Sequence, residues 1–281
     1  MKRVLLCTDG SAYSRVCCQY AAWLAGRNAC EFEVLYVTDL RQFEVPMVAD
    51  LSGSLGVQPY QAVLAKLQEL EKDKARLVLE DAQRLLAAGG VATPVRATHR
   101  TGFLVDCLHE FEQPADLVML GKRGENANFA TGHLGSTMER VVRSSLRPCF
   151  VTSRSYAAPE RVLLAYDGGK SCRKALQYLL DQSTFKGLEF HVVIVAARDA
   201  EETALGFLRE AELQLQQAGY GPHCQMLHGV PEDEIAAYVE AHGINALIIG
   251  AYGHGRVREF FIGSTTAAMM RQCKVPVLLF R

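Results

Sequence analysis

The stretch RVLLCTDG at residues 3–10 occurs a second time, as RVLLAYDG at residues 161–168. A short aliphatic run that ends in Asp-Gly is typical of a buried strand followed by a turn. Three later landmarks recur in the same order: LVMLG at 117–121 with ALIIG at 246–250, GST at 135–137 with GST at 263–265, and RPCFV at 147–151 with VPVLL at 275–279. Four landmarks in one order indicate that the chain contains two copies of one unit.

The length of this unit indicates two complete domains. Solenoid repeats have periods of roughly 20–50 residues, and the period here is several times longer. A short polar stretch that ends in Pro159 separates the copies and is typical of a domain boundary. We therefore predict a first domain at 1–153, a linker at 154–160 and a second domain at 161–281.

Each copy alternates short aliphatic runs with longer amphipathic segments, a pattern that favours a parallel sheet covered by helices. We predict two tandem Rossmann-like α/β domains, each a five-stranded parallel sheet with helices on both faces. In the second copy the predicted strands are 162–166, 189–196, 223–227, 246–249 and 277–280, and the predicted helices are 171–180, 201–218, 232–241 and 264–272.

The first copy contains an insertion at about 40–88, which adds about 30 residues before its third strand. Its second part has apolar residues at helical spacing, which predicts helix. The segment Gln42–Gln58 contains Pro46 and two glycines and is interpreted as an exposed loop. It is either a lid or partner surface, or an ordinary surface insertion. The apolar positions are Tyr60, Val63, Leu64 and Leu67, followed by Val78, Ala82 and Leu85.

Composition excludes several function classes. The 281 residues are 49% hydrophobic and carry a formal net charge of −1, which provides no general attraction for nucleic acid or anionic lipid. The apolar run at the amino terminus is too short for a signal peptide, and no run approaches the roughly 18 apolar residues of a membrane helix. We expect a soluble, cytoplasmic protein with neither nucleic acid nor membrane as partner.

The nine cysteines form no C-x-x-C pair, which argues against zinc and thioredoxin-type sites. Most of them lie within apolar runs. We interpret them as reduced, buried side chains that act as small hydrophobes.

The segment GAYGHGRVREFFIGS at 250–264 follows one predicted strand and precedes a predicted helix. Its glycine skeleton is G-x2-G-x9-G-S. Glycines at a strand end let the backbone approach a ligand, and a helix amino terminus provides N–H donors for phosphate. Any single glycine is explained as well by a turn, but four positions at this spacing favour a nucleotide site.

This skeleton resembles the ATP-binding signature of the universal stress protein family. The resemblance extends over both halves and includes the Asp-Gly after the first strand, the HGVP of 228–231 and the closing VPVLL. It implies ATP or AMP, with Mg2+, at the carboxyl edge of a five-stranded sheet, and dimeric association through the last strand. It assigns the phosphate and ribose to Gly250, Gly253, Gly263 and Ser264, with Thr265 beside them, the nucleoside to Asp167 and the adenine pocket to Ala196.

The first copy carries the same pattern with one difference. Its corresponding residues are Asp9, Val37, Gly121, Gly124, Gly135 and Ser136. Ten residues instead of nine separate Gly124 from Gly135, and the loop 125–134 has less positive charge than its counterpart. Lys122 and Arg123 are expected to restore some of that charge beside the phosphates. The sequence evidence for this second site is therefore weaker than for the first.

No catalytic or metal-binding residue is identified. The Gly-Lys-Ser at 169–171 is no P-loop, because Leu164 stands where that motif requires its first glycine. His133 and His254 lie in the two glycine loops and are interpreted as solvated. The leading hypothesis is a nucleotide-dependent stress-response switch or sensor. The alternatives are a nucleotide-free interaction scaffold, whose partner would be a protein, and a slow adenine-nucleotide hydrolase.

The last strand of each copy is apolar and would otherwise be an exposed sheet edge. We therefore expect Phe150–Ser153 and Val277–Phe280 to pack against each other about a pseudo-two-fold axis, which makes the chain an intramolecular pseudo-dimer. Further association into a homodimer is left open.

Overall fold

The structure, a computed structural model, describes residues 1–39, 59–124, 135–251 and 263–281, and it describes side chains in these ranges except at 59–64. The expected loop Gln42–Gln58 and most of both glycine loops, including Gly253, His133 and His254, lie outside the described residues.

The first half folds as alternating strands and helices. Gly10, with φ +77°, ends the first strand in a turn that few other residues adopt. Ser11 then begins the first helix, because its side chain accepts a hydrogen bond from Ser14 N. The elements are β1 Arg3–Thr8, α1 Ala12–Arg27, β2 Glu31–Asp39, α2 Pro59–Ala88, β3 Arg96–Gly102, α3 Leu104–Glu112, β4 Leu117–Gly121, α4 Ser136–Ser144 and β5 Cys149–Thr152.

The second half repeats this order, and a short 3-10 turn at Arg198–Ala200 precedes its second helix. Every predicted strand and helix of this half is present within one or two residues of its expected ends. The elements are β6 Arg161–Ala165, α5 Lys170–Asp181, β7 Glu189–Val195, α6 Glu201–Gln217, β8 Pro222–Leu227, α7 Pro231–Ala241, β9 Ala246–Gly250, α8 Ser264–Gln272 and β10 Val277–Phe280.

The strands of both halves form one ten-stranded sheet in the order β3-β2-β1-β4-β5-β10-β9-β6-β7-β8. All strand pairs within each half are parallel, which confirms the predicted fold class. The order is the same from either end once equivalent strands are matched, so the two halves are related by an approximate two-fold axis.

The two halves meet at β5 and β10, which pair antiparallel with Phe150 opposite Leu278 and Val151 opposite Val277. We call this strand pair the seam. The two closing strands therefore pack against each other as the sequence predicts, and neither is left as an open edge.

Helices cover both faces of the sheet. One face carries α1, α2, α5 and α6, and the opposite face carries α3, α4, α7 and α8; we call them the α1 face and the α3 face. Side chains alternate across the seam, so Phe150 and Leu278 belong to the α1-face core while Val151 and Val277 belong to the other. Each core therefore runs without interruption from one half into the other.

Part of the insertion lengthens α2, which has 30 residues against 17 in α6. This confirms the helix predicted from the apolar spacing. Ala82 and Leu86 are buried against the sheet, whereas Leu67 and Leu70, nearer the start of the helix, are exposed. The additional length thus projects beyond the part of the helix that packs on the core.

All nine cysteines are unpaired, and seven of them are buried. Burial raises the pKa of the Cys7 thiol to about 12, so this thiol stays protonated at neutral pH. Both observations fit the interpretation of the cysteines as small apolar side chains. In the part of the chain that the structure describes, no helix combines the length and the hydropathy that a membrane span requires.

Candidate functional site

The carboxyl ends of the second-half strands bring several of the predicted residues to one edge. Ala196 follows β7 directly, Asp167 is the second residue after β6, and Gly250 ends β9. Because β6 pairs with both β7 and β9, the three residues lie side by side at this edge. The helix α8 begins there as well, since Gly263 N donates to Ala251 O at 3.2 Å. Of the second-half residues predicted for the site, Gly253 lies outside the description.

Asp167 is held by a tight turn. Its Oδ1 accepts a hydrogen bond from Gly169 N at 2.7 Å, the arrangement of an Asx turn. Gly168 between them has φ +71°, and a Cβ at this position would lie 2.4 Å from the Phe207 ring. The backbone conformation and the contact with Phe207 therefore require glycine at position 168. The hydrogen bond of the Asx turn fixes the Asp167 carboxylate at the strand end.

Gly250 has a packing role. A Cβ at this position would lie 2.8 Å from Ser171 Cβ and 3.1 Å from Cys172 N, at the start of α5. Gly121 has the same relation to Tyr13 in the first half, at 2.7 Å. The alternative explanation of these glycines, that they are structural, is therefore sufficient for both positions. Both let a helix start approach the strand end closely.

The amino terminus of α8 presents donors for an anion. Gly263 is the N-cap and has no side chain to accept a hydrogen bond from the first turn, which contains no acidic residue. Ser264 is exposed and Thr265 is partly buried. The free N–H groups and the positive end of the helix dipole favour negative charge at this point.

Thr266 contributes a contact that the sequence analysis did not identify. Its hydroxyl donates to Gly250 O at 3.1 Å and thereby ties the first turn of α8 to the end of β9. The signal in the sequence was a hydroxyl residue two positions after Ser264, within the first helical turn. This bond fixes where the α8 donors point.

Ala196 offers a small apolar surface and is only 7% exposed. Its backbone N–H donates to Leu227 O at 2.9 Å, and its carbonyl accepts a hydrogen bond from His228 Nδ1 at 3.1 Å. Both backbone groups are therefore satisfied within the protein, which leaves the methyl group as the feature available to a ligand.

In the first half the corresponding residues also converge, but they contact one another closely. Asp9 Oδ1 accepts hydrogen bonds from Ser14 Oγ at 2.5 Å and Ser11 N at 3.0 Å. A Cβ at Gly124 would lie 2.6 Å from Asp9 Oδ2. Gly135 N donates to Lys122 O at 3.3 Å, and the neighbouring Ser136 is exposed at the start of α4. The Asp9 carboxylate is thus engaged with its own half of the protein.

The predicted equivalence of Val37 and Ala196 is wrong by one residue. Arg3 pairs with Glu31 and Arg161 pairs with Glu189, so Thr38 is the structural counterpart of Ala196. A shift of one residue moves a side chain to the other face of a strand, and Val37 packs towards the α3 face. The Thr38 hydroxyl is hydrogen bonded to His99 Nε2 at 2.9 Å, so this position is polar in the first half.

Lys122 does not add charge to the first-half site as expected. Its ammonium group donates to Cys273 O at 2.7 Å, at the carboxyl end of α8 in the other half. Burial lowers the pKa of Lys122 to about 8. The ammonium group instead donates a hydrogen bond to the carboxyl end of a helix across the seam.

A further charge distinguishes the two helix starts. The first turn of α4 contains Glu139, and the position four residues after the N-cap in α8 is Ala267. A carboxylate there opposes the binding of an anion to the same turn. Among the described residues, no group of His, Cys, Asp or Glu is arranged to hold a metal ion.

The sequence was compared with known proteins. The model of the universal stress protein family matches residues 1–153 and again residues 159–281. A universal stress protein of Synechocystis sp. is 42% identical over 288 residues, which cover 100% of each chain. A universal stress protein of Mycobacterium tuberculosis is 28% identical over 195 residues, 63% of this chain and 65% of the relative.

The fold was compared with solved structures. The crystal structure of a universal stress protein from Archaeoglobus fulgidus superimposes with a TM-score of 0.74 at 24% sequence identity. The match covers 99% of this chain and 98% of that chain. The whole ten-stranded arrangement is therefore represented among solved proteins.

Proposed function

This chain belongs to the universal stress protein family, with two family domains in tandem, and from that premise we propose that its second half binds ATP or AMP and acts as a nucleotide-dependent switch. The observation that carries the proposal is the convergence of Asp167, Ala196 and the start of α8 at one edge of the sheet. The glycine spacing of 250–264 supports it independently.

Each part of an adenine nucleotide has a matching group. The phosphates take the N–H donors of Ser264 and Thr265, where no acidic side chain of the first turn competes. The Asp167 carboxylate accepts hydrogen bonds from the nucleoside, and the Ala196 methyl group packs on the adenine ring. Mg2+ is carried by the phosphates in this arrangement.

The chain's own residues position the ligand without an evident chemical step. No general base is assigned among the described residues at this edge, so binding is the proposed activity and hydrolysis is an outcome to be tested. Ligand binding stabilises the folded state by about 2.7 kcal/mol at a hundredfold excess over Kd. A partner protein that binds the liganded form preferentially responds to this stabilisation.

For the first half we propose a much weaker site. Glu139 opposes an anion at α4, and Thr38 replaces the apolar Ala196. The first half then contributes mainly to the structure, through its pairing with the second half at the seam.

A matched pair of variants tests the assignment. Gly253→Val and Gly124→Val place the same branched side chain at the second glycine of each skeleton. ATP affinity, measured by calorimetry, is expected to fall at least tenfold in Gly253→Val and to stay within twofold in Gly124→Val. The opposite result assigns the nucleotide to the first half.

The freshly purified protein offers a second test. After denaturation, mass spectrometry of the supernatant is expected to identify ATP or AMP near one per chain. If no nucleotide is released and none binds after addition of Mg-ATP, the nucleotide-free scaffold is the better description. Rapid release of phosphate from added ATP supports the hydrolase instead.

A further inference from the structure

The first half contains a cavity of about 220 Å³ at the amino-terminal edge of its sheet, on the side opposite to the proposed nucleotide site. Four charged residues from the starts of β1, β2 and β3 line it, together with apolar residues from and after α3. The charged residues are Arg3, Glu31, Glu33 and Arg96, and the apolar ones include Phe111 and Ala115.

The four charges project from one face of the sheet. The strand register pairs Arg3 with Glu31 and Glu33 with Arg96, and paired residues share a face. Glu31 and Glu33 alternate with Phe32 and therefore share the face of Leu35, which belongs to the α3-face core. The cavity thus lies beneath α3 with two cations and two anions side by side.

These charges are only partly engaged with each other. Arg3 Nε lies 3.6 Å from Glu31 Oε2, and both side chains are more than half exposed. Glu33 Oε1 accepts a hydrogen bond from Thr98 Oγ1 at 3.0 Å. Exposed ion pairs of this length contribute little to stability, so the groups are available to a ligand at small cost.

The same place in the second half carries a different set of side chains. The equivalent registers put Arg161, Glu189, His191 and His223 at the four positions. Three of them form a network: Arg161 Nε lies 3.1 Å from Glu189 Oε2, and Glu189 Oε1 lies 3.0 Å from His191 Nε2. The His223 ring lies beside the His191 ring, with centroids 5.1 Å apart.

That network continues into α7. His191 Nδ1 is 2.9 Å from the Tyr238 hydroxyl, and the Tyr238 ring stacks on His242 with centroids 3.8 Å apart. His191 is only 4% exposed. The second half therefore has imidazole rings at the two positions where the first half has Glu33 and Arg96.

We propose that the first-half cavity binds a free α-amino acid with an aromatic or heteroaromatic side chain. The ligand ring packs on Phe111 and on the other apolar residues of the lining. The ligand carboxylate pairs with Arg96 and Arg3, and its ammonium group pairs with Glu31 and Glu33. A lining with two charges of each sign matches a zwitterion better than a simple anion.

The size of the cavity agrees with this class. A cavity of about 150 Å³ accommodates benzene, so 220 Å³ leaves room for a ring with its attached carbon atoms. The charged groups then lie near the mouth, where the exposed arginine and glutamate side chains are found.

Calorimetric titration of the full chain with L-phenylalanine, L-tyrosine, L-tryptophan and L-histidine tests the proposal. At least one is expected to bind with a Kd below about 1 mM, and saturating ATP is not expected to displace it. The amide of that amino acid lacks the carboxylate and its N-acetyl form lacks the ammonium group. Each is expected to bind at least tenfold more weakly, which also separates a free amino acid from a peptide terminus.

Matched variants locate the site. Arg96→Ala removes an exposed side chain and is expected to weaken binding at least tenfold, while His223→Ala at the equivalent position of the second half leaves it unchanged. The double variant Glu33→His with Arg96→His transfers the second-half pair and is expected to abolish binding. The proposal is overturned if none of the four amino acids binds saturably, or if Arg96→Ala binds as well as the parent.

Discussion

The two halves share a backbone and differ in the side chains that they place at the ends of their strands. Gly10 and Gly168 occupy equivalent turns with φ of +77° and +71°, and each lies beneath a helix at a distance that excludes a Cβ. By contrast, the first half has Thr38 where the second half has Ala196, and Glu139 where the second half has Ala267. Residues that the turn geometry requires are the same in both copies, whereas residues at the proposed ligand site differ.

The first prediction tests whether the halves are energetically separate at all. Phe150→Ala removes a buried ring from the seam strand β5 and is expected to lower the free energy of unfolding by about 3–5 kcal/mol. Because both cores cross the seam, the whole chain should unfold in one transition, which calorimetry with denaturant titration measures. Leu146→Ala, at a side chain that is 73% exposed, serves as the control and should change little. Two transitions, with the second unaffected by Phe150→Ala, would contradict the continuous cores.

The second prediction concerns the turn that both halves retain. Gly168→Ala combines a left-handed backbone conformation with an overlap on Phe207, so the expected loss is about 2–4 kcal/mol. Gly219→Ala is the matched control, because its φ is +85° and a Cβ there meets no atom within 4 Å. It isolates the backbone strain, about 1–2 kcal/mol. Equal losses in thermal unfolding would show that the contact with Phe207 is unimportant.

The third prediction concerns Lys122, whose counterpart in the second half is Ala251. Burial lowers the pKa of Lys122 in the folded state to about 8, from 10.5. Between these values the unfolded chain binds the proton more tightly, so stability rises with pH, by up to about 3 kcal/mol in total. Lys122→Met lacks this dependence.

The measurement for Lys122 is a difference between two proteins. The unfolding free energy of Lys122→Met minus that of the parent should fall as the pH rises from 7 towards 10. The titration of the cysteines other than Cys273, which interacts with Lys122, cancels in this difference. Lys170→Met, at an exposed lysine of the second half, is the matched control. A flat difference for Lys122→Met would mean that its ammonium group is not buried.

The smallest expected effect distinguishes the two helix starts. Ala267→Glu introduces into α8 the carboxylate that α4 has at Glu139, and ATP affinity should fall about two- to fivefold at low salt. The effect should shrink as salt is added. Glu139→Ala should leave the affinity of the second half as it was. An unchanged affinity in Ala267→Glu would move the phosphates away from the α8 terminus.

Much of this fold follows from the sequence because the repeat restricts the possibilities. Aliphatic runs that recur twice in the same order fix the strands, and the amphipathic segments between them must be helices that cover the sheet. The expected meeting of the two last strands was confirmed as well, since both strands are apolar except for Thr152 at the end of β5.

The errors have two physical origins. Val37 was taken for Thr38 because counting along an apolar run does not determine which residue pairs with a neighbouring strand. Lys122 was assigned to its own half because its partner, Cys273 O, lies 151 residues away and is brought close only by the seam. Glu112 also makes contacts with residues distant in the sequence. It is 1% exposed and accepts hydrogen bonds from Ser145 Oγ and Leu146 N, and no local pattern indicates these contacts.

The seam also determines how the protein responds to dilution. Pairing between the edges of two separate molecules depends on their concentration, but β5 and β10 belong to one chain and only residues 153–160 join their halves. A tether this short holds two surfaces at an effective concentration on the order of millimolar. The paired state therefore persists at any expression level. The number of copies of the protein can change widely without altering how its halves are assembled.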